Sequence, residues 1–196
     1  MSDEVDAEVR AALAREDRAG ATELALRTYG GELIGWLSSS LASEADAFDA
    51  FSLLSEELWH SLERFDGRCS VRTWCYMLAR QAASRVHRQP RRAHEWLVTS
   101  VPSVAHAVTE LWSTTRVDEQ HEQDVYVQIR RELPEEDQIL LVLRVDRDLS
   151  WRDIALVMLG ELATDDDLTR KASALRKQFE RLKERLRSLA AERLGD

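Results

Sequence analysis

Arginine beside aromatic residues suits single-stranded nucleic acid: guanidinium groups follow the phosphates, and flat rings stack on unpaired bases at roughly 1–3 kcal/mol per base. The stretch RFDGRCSVRTWCYMLAR, residues 64–80, sets Arg64, Arg68, Arg72 and Arg80 among Phe65, Trp74 and Tyr76. Asp66-Gly67 reads as a turn, and Ser70 as the N-cap of a helix from Val71 to about Arg88 that Pro90 ends. One side of that helix can bury Trp74, Leu78 and Ala82 while Arg72, Tyr76, Arg80 and Arg88 face outward. Taken alone, the segment is equally a solvated arginine face anchored in a core by Trp74, and the two readings are compatible.

Other chemistry is poorly provided for. The histidines, at positions 60, 87, 94, 106 and 121, show no metal-protease or deaminase spacing, and no phosphate loop, dinucleotide fingerprint or nucleophile elbow occurs. Cys69 and Cys75 are six apart with no second pair, which argues against a zinc site and against a disulfide framework. No catalytic residue, no metal ligand and no cofactor is assigned from the sequence.

The net charge of −9 opposes indiscriminate binding to nucleic acid or to anionic membranes, yet the charge is unevenly spread. Residues 1–63 hold 14 acids against 4 arginines, a net of −10, whereas residues 64–92 hold 8 arginines against Asp66, a net of +7. Residues 170–187 hold 8 basic residues against Glu180 and Glu184, a net of +6. Two basic stripes therefore lie in an acidic chain. The acidic N-terminus has no apolar run, and nothing approaches the roughly 18 apolar residues of a membrane span, so the chain reads as soluble and cytoplasmic, without a membrane partner.

The elements around these stripes are helical. Glycine and proline are scarce, and Ala, Leu, Arg and Glu dominate, so the expected class is all-α. Residues 6–38 carry Val9, Leu13, Leu24, Leu26, Leu33 and Leu37, with breaks expected near Gly20 and at Gly30-Gly31. From Asp46, the apolar positions Ala47, Phe51, Leu54, Leu58 and Leu62 oppose an acidic face bearing Asp46, Asp49, Ser52 and Glu56. Residues 93–123 lack a clean period and read as a partly helical, flexible linker between a domain at 1–92 and another at 124–196. In the second domain a helix starts near Pro134, and a short helix capped by Ser150 follows a turn at 146–148. After the acidic connector ELATDDD comes a long helix in which Leu168, Ala172, Leu175, Phe179, Leu182, Leu186 and Leu189 keep a strict heptad. Helix, turn and basic helix form the layout of a helix-turn-helix; by itself it fits a helical hairpin as well, and the heptad fits a dimeric coiled coil.

In this order the pieces resemble the extracytoplasmic-function sigma factors, sigma-70 family subunits of bacterial RNA polymerase. The segment EADAFDAFSLLSEELWHSLERFDGRCSVRTWCYMLARQAASRVHRQPRR is similar to the promoter-melting domain, through its DAxD helix, RFDGR turn and RTWxYxxAR helix. LPEEDQILLVLRVDRDLSWRDIALVMLG is similar to the start of the C-terminal domain. The resemblance implies a non-enzymatic sigma factor that binds core RNA polymerase and directs it to promoter DNA, with an anti-sigma factor as a further partner and a monomer as the free state. Asp46, Asp49, Ser52 and Glu56 would meet the polymerase clamp. Asp66, Gly67, Arg68, Arg72, Trp74, Tyr76, Arg80, Gln81, Arg85 and Arg88 would recognise and open the minus-ten element, a base held in a pocket offsetting its unstacking. Ser173, Arg176, Lys177, Gln178 and Arg181 would read the minus-thirty-five duplex.

The chain departs from the family pattern in three places. Ser52-Leu53 stands for a usual Gln-Glu pair, and Gln81 and Arg85 stand for common Asn and Asp. Residues 161–171, with Asp165, Asp166 and Asp167, enlarge the turn before the recognition helix; these acids suit a helix N-terminus but repel phosphates, so DNA contact is expected to begin nearer Ser173. The alternatives are a helix-turn-helix regulator dimerising through the heptad, and a helical adaptor derived from a sigma factor that no longer binds DNA.

Overall fold

The structure, a computed structural model, describes residues 2–41, 43–88, 102–114 and 132–194, and all regular structure among them is helical. The chain divides into two compact units, Met1–Val117 and Asp118–Asp196. The boundaries expected at 92/93 and 123/124, and the stop at Pro90, lie outside the described residues.

The first unit contains α1 (Ser2–Ala14), α2 (Arg18–Ser40), α3 (Glu44–Ser61), a 3₁₀ turn (Leu62–Arg64), α4 (Val71–Arg88) and α5 (Pro102–Thr114). Local signals explain most of the starts. Asp17 accepts the Gly20 N–H at 2.8 Å, Ser43 the Asp46 N–H at 3.1 Å, and Ser70 the Thr73 N–H at 3.1 Å, each satisfying a donor that the first turn leaves open. Around a core of Leu26, Leu33, Ile34, Leu37, Phe51, Leu54, Leu58, Tyr76 and Met77, helix α3 packs on α2 and α4, and α1 on α2.

The break expected at Gly30-Gly31 does not occur; α2 runs through both. The chain turns earlier, where Glu16 takes a left-handed φ of 60° before the Asp17 cap. Gly30 has a packing role instead. A Cβ there would stand 2.7 Å from Leu111 Cδ1, so the missing side chain lets α5 approach α2.

Helix α5 is a helical part of residues 93–123, the segment read as a partly helical linker, and it packs on the first unit. Val104, Ala107 and Val108 are buried as α5 packs on α2 and α3, while Trp112 meets Phe48 and Phe51 with ring centroids 5.1 and 6.4 Å apart. The apolar positions 104, 107, 108 and 111 have helical spacing, but a one-sided face of four residues among Ser, Thr and His gives little signal until α2 offers a surface for it.

The second unit contains α6 (Glu135–Leu141), a π-helical turn (Val142–Asp146), α7 (Trp151–Leu159) and α8 (Asp165–Leu194). Ser150 caps α7 by accepting the Asp153 N–H at 3.1 Å. Leu168, Ala172, Leu175 and Leu182 of the heptad are buried inside this unit, with Phe179 and Leu186 packed against a cluster of Leu133, Leu141 and Leu182. Trp151 closes on Phe179 at 5.5 Å, and the Arg144 guanidinium lies 5.0 Å over the Trp151 ring. The seam that could have joined two chains is used largely within one.

The enlarged turn is also rebuilt. Only residues 160–164 connect α7 to α8, because α8 begins at Asp165 and absorbs the rest of 161–171 as helix. Thr164 caps that start: its Oγ1 accepts the Asp167 N–H at 3.2 Å, and Asp167 in return accepts the Thr164 N–H at 3.2 Å.

Candidate polymerase and nucleic-acid surfaces

The turn at 65–70 is shaped by its own charges. Asp66 accepts the Arg68 backbone N–H at 3.1 Å and its side chain at 2.6 Å, and the first of these holds the carboxyl below the usual carboxylate range. Gly67 adopts φ 75°, the left-handed region open to glycine. Asp66 and Arg68 are exposed, so the turn presents a carboxylate and a guanidinium side by side.

Helix α4 is held from three sides. Trp74, 4% exposed, donates its indole N–H to Ser61 Oγ at 3.1 Å and packs edge-on against Phe65 at 5.6 Å. Tyr76 is fully buried and meets Trp36 at 5.9 Å. Arg72 makes a bidentate pair with Glu32 of α2, both contacts 2.8 Å, which raises its pKa. From α1, Asp6 accepts the Val71 N–H at 2.9 Å, a cap supplied across 65 residues. Trp74 and Tyr76 are therefore corrected as stacking platforms, because neither ring has a face open to a base. Arg72 is a brace between helices. The outer face keeps Arg85, paired with Glu57 at 2.7 Å, and exposed Arg88, with half-buried Arg80 and Gln81.

Asp6 sets a pH dependence. Burial is the largest influence on its carboxyl and raises the pKa above the ordinary 3.8, the Val71 N–H acting in the opposite sense. Between the unfolded and folded values the folded state holds more protons, so this group's contribution is fullest below 3.8 and declines as pH rises through the folded value. Asp6→Asn keeps an acceptor without the charge. In urea unfolding its stability relative to the wild type should improve as pH is raised from 3 to 7; a relative loss over that range would show that the ionised carboxylate is the better cap.

The acidic helix is less open than its pattern predicts. Asp46 completes the α3 cap with Ser43, the two side chains 2.7 Å apart, and both Asp46 and Glu56 are half-buried. Asp49 and Ser52 are each only 7% exposed. The expected four-residue polymerase face is corrected at those two positions, because neither side chain reaches the surface.

On α8, Ser173, Arg176, Lys177 and Arg181 are exposed. Gln178 is turned inward and donates to Asp137 Oδ1 at 2.7 Å, tying α8 to α6, so its reading as a base contact is corrected. The acidic start of the helix is partly engaged: Asp165 pairs with Arg152 of α7 at 2.5 Å, and Asp167 with Arg170 at 2.6 Å. Residues that sequence reasoning missed are Asp6, Glu32, Ser61 and Asp137. They position functional elements across separations from 13 to 65 residues, where no local pattern carries a signal.

The first unit is thus a helical scaffold that presents an arginine-bearing turn and helix beside an acidic helix. Residues 25–93, about a third of the chain, match the family model Sigma-70 region 2. The match runs from the middle of α2 through α3 and α4. No curated protein and no solved structure matches the chain. Among the described residues, no helix is long and apolar enough to cross a membrane.

Proposed function

We propose that the chain is a sigma factor of the extracytoplasmic-function type, which joins core RNA polymerase and directs it to a small set of promoters. The observation that carries this reading is the coincidence of the region 2 match with the exposed Asp66-Gly67-Arg68 turn and with α4, the basic stretch of an otherwise acidic unit. The turn and the outer face of α4, through Arg80, Gln81, Arg85 and Arg88, meet the minus-ten element; α8, through Ser173, Arg176, Lys177 and Arg181, meets the minus-thirty-five duplex. Trp74, Tyr76, Arg72 and Gln178 serve by holding these surfaces in place. Domain functions divide accordingly, the first unit for polymerase and melting and the second for duplex DNA.

Burial of the heptad within the second unit supports a monomeric free chain over a dimeric regulator. An anti-sigma partner and residence in the cytoplasm belong to the same reading. Run-off transcription with core polymerase on genomic fragments enriched by the protein tests it. Specific transcripts above those of core alone are expected, and their absence on every fragment would remove the sigma-factor reading.

A further inference from the structure

Helix α1 reaches the turn at 65–70 as well as the start of α4. Asp6 accepts the Val71 N–H at 2.9 Å, and Arg10 follows Asp6 by four residues, one turn along the same side of α1. That docking carries Arg10 along the connector to Gly67, where a Cβ would stand 3.4 Å from Arg10 Nη1. Glycine, in the left-handed region with φ 75°, leaves the guanidinium room beside the turn. Arg10 is the only base of α1 against Asp3, Glu4, Asp6 and Glu8, yet it is exposed and makes no hydrogen bond or ion pair among the described residues. Its charge changes the character of the turn. Asp66 and Arg68 pair at 2.6 Å and their charges cancel, so without Arg10 the exposed tip offers a phosphate no net attraction. With Arg10 beside Gly67 the tip is positive, and the added charge sits on a planar fork of donors that suits a phosphate.

We infer that Arg10 belongs to the nucleic-acid surface: its guanidinium contacts a phosphodiester of the single strand that the Asp66-Gly67-Arg68 turn and α4 hold open. The inference rests on the promoter-melting reading above and adds to it a residue of α1, a helix that precedes the stretch 25–93 matched by the family model. Phosphate contacts position a strand and carry no sequence information, so Arg10 supplies affinity and salt dependence and leaves base preference unchanged. Arg10 also favours the ionised form of the buried Asp6 carboxyl, and the two roles differ in what they predict. A supporter of Asp6 acts only while Asp6 can ionise; a phosphate contact acts whether it can or not.

The test uses holoenzyme assembled from core RNA polymerase and the full chain. Forked oligonucleotides, single-stranded across the minus-ten element, are cut from genomic fragments that the holoenzyme enriches, and their binding is titrated from 50 to 200 mM salt. Arg10→Ala should lower the salt slope by about 0.7, the share of one single-strand phosphate contact, and Arg10→Lys, which keeps the charge, should retain it. The same pair of measurements is made in an Asp6→Asn background, where the cap keeps an acceptor that cannot ionise. There Arg10→Ala should again lower the slope by about 0.7. A slope change that vanishes in the Asp6→Asn background would make Arg10 a support for Asp6 and overturn the contact. Salt-dependent binding by the wild type with an unchanged slope for Arg10→Ala overturns it too, and leaves the sigma-factor reading standing. Absence of binding by the wild-type holoenzyme to every fork instead removes the melting reading and this inference with it.

Discussion

Trp74→Ala should destabilise the first unit by about 3–5 kcal/mol, the cost of emptying a large aromatic site. That is a large share of the roughly 5–15 kcal/mol that holds a domain folded. Two effects add. The cavity opens beside Phe65, and the hydroxyl of Ser61 at the end of α3, itself fully buried, loses the indole donor. Polymerase binding and promoter opening should therefore fall together. Trp74→Phe separates the contributions: it keeps a ring against Phe65 but loses the hydrogen bond and some volume, the unpaired Ser61 hydroxyl costing about 1–3 kcal/mol. Urea unfolding measures both variants, and permanganate footprinting beside a polymerase-binding assay measures the functions. If opening were lost with stability and polymerase binding intact, Trp74 would have to leave the core to stack on DNA.

Arg176→Ala combined with Lys177→Ala should lower the salt slope of duplex binding by about 1–2 units, since each phosphate contact contributes about 0.9. Both side chains are exposed on α8. Asp167 lies nine residues before Arg176, about 14 Å along the helix at 1.5 Å per residue. That exceeds the Debye length of about 8 Å at physiological salt, so the attraction of the acids at the helix start for these two cations is largely screened. Binding titrations from 50 to 200 mM salt give the slope, and an unchanged slope would take the pair out of the interface. Gln178→Ala is the contrasting variant. It should lose the tie to Asp137 and reduce thermal stability while leaving the slope alone.

Several elements were legible before any fold was known. Ser70 and Ser150 announced the starts of α4 and α7 because capping is a local exchange between a hydroxyl and an N–H three residues on. The heptad announced a long amphipathic helix, but whether its seam closed on another chain or on α6 and α7 depended on what lay opposite it. The same limit applied to Trp74. Its spacing placed it on a face with Leu78, while the choice between a base and Ser61 as its neighbour was made by the packing of α3 on α4, which brings Ser61 at the end of α3 within 3.1 Å.

The sequence by itself determined that the protein is helical, that two basic stripes interrupt an acidic chain, and which short motifs resemble those of the sigma-70 family, because composition, period and charge are properties of neighbours along the chain. Tertiary structure decided which of those residues are available. It drew Tyr76 and Trp74 inside, committed Arg72 to Glu32 and Gln178 to Asp137, and seated Trp112 of α5 against Phe48 and Phe51. Those outcomes depend on burial and on pairings between residues from 13 to 65 positions apart, and a long-range contact leaves no mark on local sequence.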